Sequence, residues 1–204
     1  MYIQRMRNED ILGYIMIGLV LFASYYIYRD NYESFQLKCI VSDVDGNKYC
    51  VRDRNEIEKA ADLLANVTTK CNELVVYTSD KYPDKENVKR LKNNFNPKKI
   101  METLPTSSYT AYSENKGEKI AFCLNTKKED NNNLIDQHTL MFVAIHEMAH
   151  TMTISIGHKS EFWSNFKFLL ECAKESGLHA PVDYKDKPQE YCGMKIHDNP
   201  YYDA

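Results

Sequence analysis

Residues 141 to 163, M-F-V-A-I-H-E-M-A-H-T-M-T-I-S-I-G-H-K-S-E-F-W, limit the folds open to this chain more than any other stretch. Leu140, Met141, Val143, Ala144, Ile145, Met148, Ala149, Met152, Ile154 and Ile156 leave a helix here with no polar face, so it must be a core helix with the rest of the domain built around it. Yet the same helix carries His146, Glu147 and His150, and buried polar groups are costly without a partner. The two histidines are four apart, so they lie one turn above each other on one face. Two imidazoles so placed can share a metal ion, and Glu147 can hold a water that the metal acidifies. Gly157 is placed to stop the helix as a left-handed cap. His158 follows where the chain turns back and is the candidate third ligand.

A second constraint lies near the N-terminus. Residues 11 to 28, I-L-G-Y-I-M-I-G-L-V-L-F-A-S-Y-Y-I-Y, contain no charge. As a helix they span ~27 Å, close to the hydrocarbon thickness of a thin bilayer. Charges flank both ends, and Tyr25, Tyr26 and Tyr28 sit where an aromatic belt belongs. A signal peptide is the rival reading, but small residues are poorly placed for cleavage around Ala23 and Ser24. The expectation is an uncleaved single-pass anchor: tail 1–10, transmembrane helix 11–28, polar linker 29–38 and one domain from 39 to 204. Arg5 and Arg7 stand against Arg29 and Lys38, a near tie for orientation. The short basic tail slightly favours a cytoplasmic N-terminus with the domain across the membrane.

The 204 residues suffice for one good-sized domain, and the net charge of −3 argues against a general nucleic-acid or acidic-lipid surface. Cys39, Cys50, Cys71, Cys123, Cys172 and Cys192 fit disulfides on the far side of a membrane and fit reduced thiols in a cytosolic domain equally well. None has C-x-x-C spacing, which argues against a second, structural zinc. Asn66-Val67-Thr68 is a glycosylation triplet, but it falls within an expected helix.

Along the chain, Cys39–Ser42 and Lys48–Val51 read as a hairpin about Asp45-Gly46. Asp53 or Asn55 can cap a helix from about Glu56 to Tyr77, and a second helical piece runs from Lys85 to Asn94 with Lys89, Arg90 and Lys92 as a solvated face. The region from Asn96-Pro97 to Leu104-Pro105 reads as loop. Two strands, 107–113 and 118–124, follow with a turn at 115–117, and residues 127–133 read as a polar loop. Asp136 or Asn133 caps the histidine-bearing helix. Ser160 can cap another helix from Glu161 to Glu175, with Phe162, Trp163, Phe166, Leu169 and Leu170 as its core face. The tail from His179 to Ala204 is too rich in Tyr, Pro and apolar residues to be free, and folds back over the body. His138, His179 and His197 read as surface or loop residues.

H-E-M-A-H at 146–150 is the H-E-x-x-H arrangement of zinc peptidases. With G-H-K-S-E-F-W at 157–163, it resembles the WLM-type metallopeptidases, relatives of the SprT group, firmly across about 136–175. The E-Y-C-G-M-K-I and Y-T-A-Y-S-E-N-K-G-E-K-I segments also resemble uncharacterised WLM-like proteins of large DNA viruses. The resemblance implies an α+β, zincin-like domain, an active-site helix packed on a small sheet. It implies Zn²⁺ on His146, His150 and His158, with Glu147 as the base. A strand of such a sheet lies beside the metal cleft in zinc peptidases of this build. Here it either takes substrate on its edge or only packs the core. The best-known members act on proteins crosslinked to DNA, through DNA- or partner-binding extensions. This chain shows an anchor and no basic tail, so the chemistry carries over and the substrate does not.

The expected function is a membrane-anchored zinc endopeptidase acting on protein or peptide substrates, with Tyr184 or Tyr191 as the candidate donor to the tetrahedral oxyanion. The alternative is a structural membrane or virion protein on the same fold, with virion or membrane-protein partners and zinc for stability only. Host endomembrane and internal virion membrane are the expected locations. A DNA-dependent protease is a third reading, against which the acidic balance counts.

Overall fold

The computed structural model of the chain describes residues 8–128 and 133–203. Arg5 and Arg7, and most of the expected 127–133 loop, lie outside the described residues. The chain divides at Gln36 into two units.

The first unit is helix α1, Asn8–Gln36. Its segment Ile11–Tyr28 has a mean hydropathy of 1.8 and no buried residue, so it is not the core helix of a globular body. Among the described residues it is the one helix long and apolar enough to cross a membrane. The expected connector 29–38 is helical as far as Gln36. Residues 29–36 hold neither Gly nor Pro, so nothing in them ends a helix already nucleated upstream.

The second unit, from Leu37, is α+β. Strands β1 (Lys38–Val41) and β2 (Lys48–Val51) pair as the expected hairpin, with Gly46 at φ +70° in the turn. Helices α2 (Ile57–Lys81) and α3 (Glu86–Asn94) follow. Strands β3 (Ile100–Glu102), β4 (Ala111–Glu114) and β5 (Lys119–Phe122) form a sheet in the order β3-β5-β4, with β3 parallel and β4 antiparallel to β5. Helix α4 (Gln137–Met152) packs against α2, α3, α5, β4 and β5. Helix α5 (Ser160–Glu175) and a hairpin of β6 (Gln189–Tyr191) and β7 (Met194–Ile196) complete the domain. Asp136 caps α4, its Oδ1 accepting from the Thr139 N–H at 2.8 Å.

Four local expectations are corrected. Strand β3 lies inside the region read as loop, because three residues between two prolines show no period; Ile100 and Glu102 are nevertheless buried. Helix α4 ends at Met152, not at Gly157. The Glu161 carboxylate takes the backbone N–H groups of Ile154 and Ser155 at 3.0 and 3.2 Å, giving that β-branched run an alternative to helical pairing. Ile154 and Ile156 are consequently exposed, at 69% and 85%, and Gly157 (φ +78°) turns the loop rather than capping the helix. Ser160 does not cap α5, whose N-cap is Lys159 with no side-chain bond.

Two disulfides are present, Cys39–Cys50 across the first hairpin and Cys123–Cys192, while Cys71 and Cys172 are buried thiols. The second disulfide joins the residue after β5 to the turn between β6 and β7, and so holds the folded-back tail. A buried polar cluster lies near it. Glu102, fully buried, accepts from the Arg52 backbone N–H at 2.7 Å and pairs with the Arg54 guanidinium. Arg54 also donates to Asn125 Oδ1 at 2.6 Å, and the Asn125 carbonyl accepts from the Cys192 N–H at 3.0 Å.

Candidate metal centre

His146 and His150 project from one face of α4, and the loop after α4 brings His158 to meet them. The His158 Nε2 lies 3.1 Å from His146 Nε2 and 3.1 Å from His150 Nε2. All three donor atoms fall within 4.8 Å of one another. Two nitrogens each ~2.05 Å from one tetrahedral ion would stand ~3.3 Å apart, so the donor set fits a single zinc-sized ion.

Phe162, fully buried in the first turn of α5, fixes the three rings. Its centroid lies 4.8, 4.3 and 4.5 Å from those of His146, His150 and His158. Trp163, expected as core, is 44% exposed at the cleft mouth, and its Nε1 donates to the His158 carbonyl at 3.1 Å. The His158 loop is held from three sides. Glu161 binds its backbone N–H groups, Lys116 Nζ donates to the Ser155 carbonyl at 2.8 Å, and Arg90 Nε donates to the Met152 carbonyl at 2.8 Å. Arg90 is therefore not simply part of a solvated face; it satisfies a carbonyl at the end of α4.

Electrostatics favour neutral ligands. Burial, then the neighbouring His150 and His158, lower the His146 pKa to about 3. Burial, then His158 and Lys116, lower that of His150 to about 4. Both rings are thus unprotonated near neutrality, the form a metal requires. Burial alone raises Glu147 to about 8, so in the metal-free chain its carboxyl holds a proton at neutral pH.

The site opens into a cleft of about 820 Å³, lined mainly by apolar groups. One wall is Tyr109 to Ser113, which includes the outer edge strand β4, and another is the tail segment Met194 to Asp198. Of the two candidate oxyanion tyrosines, Tyr191 lines this cleft and Tyr184 does not; Tyr184 packs on Phe142 with centroids 4.8 Å apart. The Tyr191 hydroxyl donates to the Thr110 carbonyl at 3.1 Å, and burial, with the Glu147 charge adding, holds it protonated far above the usual tyrosine range. His197 also lines the cleft. His138 and His179 are elsewhere, stacked at 4.2 Å, and His179 is buried rather than on the surface.

Sequence reasoning missed Lys116, Glu161 and the role of Phe162. Lys116 sat in a recognised turn, and the structure places it at φ +60° beside Gly117, where a Cβ would stand 2.6 Å from Thr151 Cγ2. That close approach of the β4–β5 turn to α4 explains the glycine and delivers Lys116 to the cleft, but no local pattern signals it.

No protein-family profile matches the chain. It is 27% identical over 161 residues to an uncharacterized protein of Acanthamoeba polyphaga mimivirus, covering 77% of this chain and 81% of that one. It is 35% identical over 74 residues to an uncharacterized protein of Invertebrate iridescent virus 6, covering 36% of this chain and 40% of that one. A third uncharacterized relative, from Invertebrate iridescent virus 3, is 33% identical over 102 residues, half of this chain and 58% of its own length. Among solved structures, Wss1 from Saccharomyces cerevisiae overlaps 61% of this chain and 87% of its own, with a TM-score of 0.45 and 19% identity. That overlap is too partial to set fold or function.

Proposed function

We propose that the chain is a membrane-anchored zinc endopeptidase of the WLM type, encoded by a large DNA virus. The observation that carries the reading is the convergence of three imidazole nitrogens, two pairs at 3.1 Å, with a buried Glu147 beside them in one cleft. His146, His150 and His158 would hold one Zn²⁺, which when bound supplies Lewis acidity toward a water and a peptide carbonyl. Beside a bound cation Glu147 would be ionised, and as a carboxylate it takes the proton of the attacking water and passes it to the departing amine. The outer edge of β4 takes an extended substrate backbone, and Tyr191 keeps that strand's start in place through the Thr110 carbonyl. The segment Ile11–Tyr28 anchors the chain. The disulfides Cys39–Cys50 and Cys123–Cys192 support a domain on the oxidising side of that membrane.

A 37–204 fragment contains the whole core and both disulfides, and it is the material for the test. It should bind about one zinc per chain, at the affinity typical of catalytic sites, and His146→Ala should lose it. Glu147→Gln should keep the zinc and lose hydrolysis of an unfolded protein substrate. Wild-type fragment without zinc affinity, or a Glu147→Gln variant as active as wild type, would refute the proposal. Zinc binding without hydrolysis in wild type would instead favour the structural reading.

A further inference from the structure

The rim of the metal cleft exposes large apolar side chains where a globular surface would bury or replace them. Ile154 and Ile156 stand 69% and 85% exposed in the turn between α4 and α5. Ser155 between them is pinned on both sides, its N–H by Glu161 and its carbonyl by Lys116. The two isoleucines therefore project from a held turn rather than from a loose one. Trp163 follows in the first turn of α5, half-exposed and hydrogen-bonded to the His158 carbonyl. Across the cleft, Tyr109 and Met194 are exposed at 65% and 50%. Exposed Lys159 and Lys195 flank the two sides.

Aliphatic tips ringed by Trp, Tyr and Lys are the composition of a surface that rests in a bilayer interface. There the aliphatic groups enter the acyl boundary, the aromatic rings lie at headgroup level and the ammonium groups meet lipid phosphates. A clustered apolar rim marks a contact with either a protein or a membrane. The chain itself carries the feature that selects between them. Ile11–Tyr28 is apolar enough to span a bilayer, and only residues 29–36 separate it from Leu37, where the domain begins. Those eight residues span ~12 Å as a helix, which keeps lipid within reach of the domain.

We propose that the rim formed by Ile154, Ile156 and Trp163 seats on the lipid surface of the membrane that holds Ile11–Tyr28. The inference rests on the membrane-anchored part of the proposed function and is independent of its peptide chemistry. Its consequence is a substrate class: polypeptide segments that lie extended at the membrane face are the ones that reach the metal centre.

Trp163 is the single tryptophan of the chain, so the rim carries its own probe. The full chain is reconstituted in phosphatidylcholine–phosphatidylserine vesicles, with and without bromine on the acyl chains, and floated to show insertion. Trp163 emission should be quenched by the brominated lipid and shielded from aqueous iodide. Ile154→Ser with Ile156→Ser should restore most of the emission while zinc content and circular dichroism show the fold retained. Val76→Ser, an exposed apolar site on α2, should leave quenching as in wild type. Emission indifferent to brominated lipid, or a double variant quenched like wild type, would overturn the inference, and failure to float would remove it together with the anchor. Quenching in a chain that hydrolyses nothing would support the seated rim while refuting the peptidase reading.

Discussion

Glu102→Gln should unfold the domain more readily than any other exchange of one polar side chain for another of its size. Glu102 is wholly enclosed and faces two enclosed guanidiniums, Arg52 and Arg54. Gln keeps the volume, so no cavity term enters; what disappears is the one carboxylate that pairs with both guanidiniums among the described residues. Removing one partner of a buried ion pair costs ~3–5 kcal/mol. Most of the guanidinium hydrogen bonds survive the change. Arg52 keeps the carbonyls of Thr103, Leu104 and Lys128 at 2.9, 3.1 and 2.9 Å, and Arg54 keeps Asn125 Oδ1 at 2.6 Å. The loss therefore belongs at the low end, ~3 kcal/mol, or ~6–12 °C in Tm for a domain of this size. Guanidinium and thermal denaturation of the 37–204 fragment measure it. Arg54→Met in the Glu102→Gln background should cost far less than Arg54→Met alone, because the charge it removes is by then uncompensated. A single-variant loss below ~1 kcal/mol, or additive losses in the cycle, would show that the cluster is not held by charge compensation.

The two disulfides should differ in their worth. Chain-entropy reasoning assigns ~4 kcal/mol to Cys123–Cys192, which closes 69 residues, and ~3 kcal/mol to Cys39–Cys50, which closes 11. Denaturant midpoints of the two paired Cys→Ser variants should fall in that order, and the reverse order would contradict it. A pH series tests His179, whose pKa is lowered to about 3 by burial first and then by His138 and Lys70. The unfolded chain protonates this ring near pH 6.5 and the folded chain does not. It therefore costs nothing above pH 6.5, and stability is lost as pH falls from there toward 3, at up to ~1.4 kcal/mol per unit. Metal-free wild type should lose ~2 kcal/mol more than His179→Phe between pH 6.5 and 4.5, and parallel curves would refute the assignment.

The helix carrying the histidines, the first hairpin and both strands of the β4–β5 pair were legible because each is written in local period or turn chemistry. Phe162 was legible as an apolar residue at helical spacing, but its contact with three imidazoles was not, since that depends on where α5 crosses α4. The end of α4 was misplaced for a physical reason. Thr153 to Ile156 looks like more apolar helix until Glu161, several residues downstream, competes for the backbone N–H groups. Strand β3 was invisible because a short parallel strand has no alternation to read and gains its partner, β5, only through tertiary pairing. Arg52, Arg54 and Glu102 carry no local signal of burial; it follows from that same pairing.

This division between local and remote information runs through the site itself. The four residues proposed for the chemistry fall within 146–158, and their spacing follows from one helix and one turn. The cleft they face is assembled from far along the chain on both sides. Thr110 and Tyr112 stand upstream, and Tyr191 and Met194 stand downstream, joined to the upstream wall by the Tyr191–Thr110 hydrogen bond and through Cys192 to Cys123. The Glu102 cluster extends that brace, since Asn125 accepts from Arg54 through its side chain and from Cys192 through its carbonyl. A metal-binding measurement accordingly examines the imidazoles and the turn that Glu161, Lys116 and Arg90 hold. Disturbing Glu102 or Cys192 acts on the walls while leaving all three imidazoles and their Phe162 support intact, so it reports on how the cleft holds what enters it.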